Sequence, residues 1–195
     1  MSDSTSKTKT QLLNTARELF ATKGKKNVTM NDIAETSQKG RRTLYTYFKN
    51  KDEVYKDVVE NEVNLVIKAL VDNVERDVDT YTKLKDHIII HLDTIKNSVT
   101  RNGTLRADFF KDIYEVERTR RKLDNKELKL IKGILNEGIE KDIFKEMNTE
   151  IVSVIILYSL KGLEVPYIRQ KMNLEFENSK DKIVEFVFSG IKKGC

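Results

Sequence analysis

Leu12, Leu13, Ala16, Leu19 and Phe20 recur at i, i+1, i+4, i+7 and i+8. That stripe covers one side of a helix, predicted over residues 10–23 and stopped by Gly24. A shorter apolar set, Met30, Ile33 and Ala34, follows Thr29, with Asp32 at the spacing of a capping box. The pattern breaks at Thr36, Ser37, Gln38, Lys39 and Gly40, which is turn chemistry. It resumes at Arg41. Leu44 and Phe48 are four apart and share one face, while Arg42 and Thr46 share the other. Asn50 and Glu53 form a second capping box, opening a long helix over 51–75 whose apolar side is Val54, Val58, Leu65, Val66, Ala69 and Leu70. Leu84, Ile88, His91, Ile95 and Val99 predict a helix over 82–100, closed by a turn at Arg101, Asn102 and Gly103.

Beyond that turn the periodicity predicts a short helix over 105–114 and a long one over 115–141, buried through Leu128, Ile131, Ile134, Leu135 and Ile139. A nearly all-apolar helix follows over 149–163, with Pro166 at or just past its end. A last helix over 178–192 carries Ile183, Phe186, Val187, Gly190 and Ile191 on one side. Residues 1–9 are polar and read as a loose tail, in which Lys7 and Lys9 could reach a phosphate. The expectation is an all-α chain of about nine helices.

Composition agrees with that reading. One Pro and eight Gly in 195 residues leave little punctuation, and no Gly or Pro falls between Gly40 and Gly103. A helix that continuous could transmit a tilt. The formal charge of +5 is unevenly spread: residues 1–51 hold 11 Lys and Arg against 4 Asp and Glu, leaving the rest at −2. The cationic excess therefore sits on the segment with the short helices, where an anionic polymer would want it. The single Cys195 cannot form an internal disulfide, which fits a reducing compartment. The first ten residues have no apolar signal region, and the greasiest stretch, 151–160, is too short to span a bilayer. A cytoplasmic protein with no membrane partner is expected.

Enzymatic chemistry has no constellation here. A Gly-rich phosphate loop, a Ser-centred elbow and a Cys pair are all missing. His87 and His91 have the i, i+4 spacing of two metal ligands, but no nearby carboxylate motif completes a set, so packed histidines are the default. Glu115 and Glu117 read as a solvated face. Neither an enzyme, a metal nor a cofactor is expected.

Residues 28–51 carry the functional reading. They form two short helices joined by a tight turn, the second burying one side and presenting cations, hydroxyls and a phenol on the other. Such a helix suits a DNA major groove. Residues 10–51 resemble the amino-terminal domain of TetR-family transcriptional regulators. Leu12, Ala16, Leu19, Phe20 and Gly24 look like its first helix and stop, and Val28 through Ala34 like its second. Thr43, Leu44, Tyr45, Thr46, Tyr47, Phe48, Lys49, Asn50 and Lys51 look like its recognition helix and the start of its fourth. Gln38 stands where the family usually has a small residue or Gly. Lys39 replaces a usual apolar residue, Gly40 a small hydroxyl residue and Arg42 a Gly or Pro. Gly138 through Phe144 with Asn148, Thr149 and Glu150 resembles the family again, at the start of its eighth helix.

The resemblance implies a helix-turn-helix DNA-binding domain over 1–50 and an effector-binding and dimerisation domain over 51–195. Thr29, Tyr47 and Lys51 match positions that touch phosphates, and Arg41, Arg42, Thr43 and Tyr45 open the recognition helix. Phe109, Phe110, Tyr114 and Tyr158 lie on helices that surround the family's effector cavity. In the family the last two helices form a four-helix interface with their twofold mates, which implies a dimer contact at Ile155, Ile183, Phe186, Val187 and Gly190. The expected function is a homodimeric regulator, more often a repressor, that leaves its double-stranded operator when a small molecule of unknown identity binds. The competing reading is an effector-independent, DNA-anchored adaptor or nucleoid-type protein of the same fold.

Overall fold

The computed structural model describes residues 2–101, 113–168 and 180–193. Among the described residues the chain is all-α. Its helices are α1 (Ser2–Lys23), α2 (Met30–Thr36), α3 (Arg41–Tyr47), α4 (Lys51–Val74), α5 (Thr80–Arg101), α6 (Ile113–Glu140), α7 (Thr149–Ile168) and α8 (Lys180–Ile191), with a 3-10 turn at Lys25–Asn27. The short helix expected over 105–114 lies outside the described residues up to position 112, as does the turn at 102–103.

Two expectations are corrected. The first residues are not a loose tail: α1 begins at Ser2, because nothing between there and Gly24 breaks a helix. Lys9 is also fixed, 2.8 Å from Asp57 and over the Phe48 ring. Pro166 does not end the apolar helix, since α7 continues to Ile168.

The chain divides into two compact units, Met1–Val63 with Ser98–Arg120, and Asn64–Asn97 with Arg121–Cys195. In the first, Leu12, Ala16 and Phe20 of α1 meet Ile33 and Ala34 of α2, Leu44 of α3, Phe48, and Val54, Tyr55 and Val58 of α4 in one buried cluster. The Phe20 and Tyr55 rings meet edge to face at 5.6 Å. Burying each large side chain stabilises by about 1.5–3 kcal/mol. A two-turn helix such as α3 needs that contribution, because helices this short do not persist alone.

The core of the second unit joins Leu84, Ile88 and Leu92 of α5 to Ile131, Ile134 and Leu135 of α6, Ile156, Leu157 and Leu160 of α7, and Val184, Phe188 and Ile191 of α8. Asp79 caps α5 by accepting from the Thr82 N–H at 3.0 Å, and Asn148 caps α7 by accepting from the Ile151 N–H at 3.1 Å. Helix α6 ends in a Schellman motif. The Ile143 N–H donates to the Gly138 carbonyl at 2.8 Å and the Asp142 N–H to that of Ile139 at 2.9 Å, with Asp142 left-handed at φ 59°. Phe144 then folds back over Gly138, so closely that a Cβ there would lie 2.0 Å from the ring. Only a residue without a side chain fits that approach. The same loop pairs with the end of α8 through Lys145 N–H and the Ile191 carbonyl, 3.1 Å.

Candidate nucleic-acid interface

The capping box at α2 forms as its spacing predicts. Thr29 Oγ1 accepts from the Asp32 N–H at 3.2 Å, and Asp32 Oδ2 accepts from the Thr29 N–H at 2.7 Å. Those bonds from the Thr29 backbone and hydroxyl hold the Asp32 carboxyl below its usual range. The turn that follows is a second Schellman motif: Lys39 N–H to the Ala34 carbonyl and Gln38 N–H to that of Glu35, both 3.0 Å. Gln38 occupies the left-handed position, φ 54°, usually given to Gly. Gln11 of α1 donates through Nε2 to the Ser37 carbonyl at 3.1 Å, fastening the turn to the first helix.

Helix α3 is anchored by Leu44, with Phe48 buried just past its end, so its other side faces outward. Arg41, Arg42 and Thr46 are exposed, Tyr45 is 49% exposed, and Thr43 and Tyr47 are half-buried. Thr46 donates its hydroxyl to the Arg42 carbonyl at 2.9 Å, which leaves Arg42, Tyr45 and Arg41 as the reaching groups. Thr29 is exposed at the start of α2. Lys51 is engaged otherwise: its Nζ donates to the Lys25 carbonyl at 2.8 Å and reaches that of Lys26 at 3.5 Å. It therefore clasps the 3-10 turn to α4, with one of its three N–H donors left over. Lys25 is tied down as well, 3.2 Å from Asp52 and 4.1 Å above the Tyr55 ring.

The effector residues are placed less favourably. Phe109 and Phe110 lie outside the described residues, and so does the side chain of Tyr114. Tyr158 stands on the outer side of α7, 60% exposed, beside Ile155 at 58% and Ile151 at 57%. Ile155, Ile183, Phe186, Val187 and Gly190 come together, lining an apolar groove of about 820 Å³ between α7 and α8, and Phe186 is 80% exposed. His87 and His91 are fully buried, and both meet Glu127, a residue no sequence spacing singled out. Among the described residues no group of three His, Cys, Asp or Glu side chains could hold a metal ion, and no helix is long and apolar enough to cross a membrane.

The class defined by this geometry is a helix-turn-helix protein: a short, basic helix held outward by a three-helix core. The family described as bacterial regulatory proteins, tetR family, matches residues 12–58. An HTH-type transcriptional regulator of Bacillus subtilis, YhgD, is 20% identical over 180 residues, covering 92% of this chain and 94% of its own. The transcriptional regulator FadR from Bacillus subtilis, solved in complex with stearoyl-CoA, superposes with a TM-score of 0.71 at 18% identity, over 93% of this chain and 98% of that one. A transcriptional regulator from Saccharomonospora viridis, in complex with choline, gives 0.76 at 16% identity, over 97% and 100%. The chain has the fold of the TetR-family helix-turn-helix transcriptional regulators.

Proposed function

We propose that this protein is a DNA-binding transcriptional repressor that a small-molecule effector releases from its operator. The observation that carries the reading is α3, whose first turn exposes Arg41 and Arg42 while Leu44 and Phe48 bury its other side. Arginine pairs in two-pronged fashion with the guanine edge, and a helix held this way can enter a major groove. Thr29, Tyr47 and Lys51 are the phosphate contacts in this reading, and Thr43 and Tyr45 flank the reading arginines. Residues 1–50 bind DNA and residues 51–195 carry the effector and the dimer contact. The α7–α8 groove supports a twofold partner, since large apolar groups such as Ile155 and Phe186 gain from cover in water. An effector role is supported by the relatives solved with stearoyl-CoA and with choline. Hundredfold release needs about 2.7 kcal/mol of coupling, ordinary for allostery.

The test is selection of bound sequences from random DNA by the purified protein. A twofold-symmetric site is expected. Arg42→Ala should relax base preference at one position of each half-site, at about 1–3 kcal/mol. Absence of any enriched sequence would end the regulator reading. An operator that no small molecule releases would favour the DNA-anchored adaptor instead.

A further inference from the structure

The 3-10 turn between α1 and α2 is tied down at each of its residues. Gly24 opens it at φ 78°, a backbone that favours glycine, and the Gly24 N–H donates to the Phe20 carbonyl at 3.1 Å. Asn27 donates through its backbone N–H to the Gly24 carbonyl at 3.1 Å and through Nδ2 to that of Lys23 at 2.8 Å. Val28 is fully buried behind it. Lys25 is spent on Asp52 and the Tyr55 ring, and Lys51 Nζ holds the Lys25 and Lys26 carbonyls. What the turn leaves outward is the Lys26 side chain, which is exposed and carries no ion pair among the described residues. Lys23, the last residue of α1, is exposed as well.

These two ammoniums stand beside residues that the proposed function gives to phosphates. Lys26 is fastened to Lys51 through its own carbonyl, 3.5 Å from Nζ, and precedes the exposed Thr29 by three residues. The Asp32 carboxyl is held down first by its Thr29 hydrogen bonds and then by the Lys23 and Lys51 charges, which brings Lys23 to the same edge. Lys23, Lys25, Lys26 and Lys51 against Asp32 and Asp52 leave a net of +2. Both carboxylates are already engaged, Asp52 with Lys25 and Asp32 with Thr29.

We propose that Lys23 and Lys26 carry the DNA contact onto the α1–α2 turn, where they hold the backbone phosphate next to the one that Thr29 and Lys51 reach, and that Lys51 positions Lys26 for it. The assignment rests on the DNA-binding reading. Successive phosphates of one strand are about 3.4 Å apart along the duplex axis, a step that a flexible four-carbon stem spans. A lysine ammonium is a point charge and reads no base edge, so these contacts add affinity and leave base preference alone. Binding normally has to order both the loop and the side chain that make a contact. Here the Lys51 clasp has already fixed the backbone, and only the Lys26 side chain remains to be ordered.

The full-length protein is titrated with fluorescein-labelled duplexes, one carrying the selected operator and one of random sequence, at steps between about 50 and 200 mM salt. Combining Lys23→Gln with Lys26→Gln should weaken binding to both duplexes, keep the base preference, and lower the salt slope by about one per protomer. Lys26→Arg should retain the wild-type slope. Operators with a single phosphate replaced by an uncharged methylphosphonate then locate the contact. At one position of each half-site the replacement should weaken the wild type by roughly threefold and the double variant not at all. In a Lys51→Gln background Lys26→Gln should cost less affinity, because an unclasped turn no longer holds Lys26 in place. The turn contact is overturned if the double variant keeps the wild-type slope, or if every methylphosphonate weakens wild type and double variant alike. Equal costs of Lys26→Gln with and without Lys51 would remove the positioning role. A wild type that binds neither duplex would remove the DNA-binding reading and this assignment with it, whereas a wild type that binds and a double variant that matches it would remove the assignment alone.

Discussion

Replacing His91 by Gln should remove a fall in stability that the wild-type protein shows between about pH 7 and 9. Burial alone would lower the imidazole pKa, but the Glu127 charge outweighs it, helped by Glu164, and holds it at about 9 against an ordinary 6.5. The folded chain therefore keeps a proton that the unfolded chain gives up. The resulting stability is fully present below about 6.5 and is lost as pH rises through about 9. The separation of the two values corresponds to about 3 kcal/mol. On the acid side burial would raise the Glu127 pKa, yet the His91 charge and the two histidine hydrogen bonds bring it from 4.5 to about 2. That stability is present above about 4.5 and lost as pH falls toward 2. Both ends report one ion pair, so the two amounts are not added.

The assay is urea unfolding followed by circular dichroism, on wild type and His91→Gln, at steps across roughly pH 6 to 9. Wild-type stability should fall most steeply midway between 6.5 and about 9, with a slope approaching about 1.4 kcal/mol per pH unit. The variant should lack that component, and groups that do not contact His91 or Glu127 cancel in the difference. Parallel profiles would show that His91 is neutral in the folded protein, and the reasoning would fail.

Three further outcomes are expected. Gln38→Gly should stabilise by up to about 1 kcal/mol in thermal unfolding, because Gly occupies φ near 54° without the Cβ penalty; a lowered midpoint would mean that the Gln38 side chain offsets its own strain. Gly138→Ala should destabilise by about 3 kcal/mol, since a Cβ 2.0 Å from the Phe144 ring must displace it from the core, and a midpoint shift near zero would contradict the packing. Lys51→Ala should cost about 1 kcal/mol by removing the bond to the Lys25 carbonyl and flatten the salt dependence of DNA binding by about one for each phosphate that Lys51 neutralises. An unchanged salt slope would leave Lys51 with the structural role alone.

What the sequence makes legible is what depends on short spacing. Thr29 with Asp32 forms its capping box, and Leu44 with Phe48 fixes which side of α3 is buried, so the exposed arginines follow without any tertiary information. Gln38 shows where that limit lies. The left-handed position of a Schellman turn is usually announced by Gly, and here the hydrogen bonds from Gln38 and Lys39 hold a residue that announces nothing. The first helix fails in the opposite sense: polar residues before position 10 look like a tail, but Lys9 finds Asp57 and Phe48 far along the chain.

Long-range partners are the part that periodicity cannot supply. His87 and His91 read as packed histidines because no carboxylate motif lies near them in sequence; Glu127, 40 and 36 positions away, meets both. Helix α7 raises the same difficulty through its sides. Apolar nearly all round, it offers no sequence signal to separate the face of Ile156, Leu157 and Leu160, which is buried, from that of Ile151, Ile155 and Tyr158, which is not. Resemblance assigns Tyr158 to a pocket, but its i, i+3 and i+7 relation to Ile155 and Ile151 sets it on the outer side, with the Lys161 ammonium 5.2 Å from its ring. A helix with two apolar faces and one covered has use for a second partner. In the proposed reading that partner is a twofold mate covering the outer face, the side of Ile151, Ile155 and Tyr158.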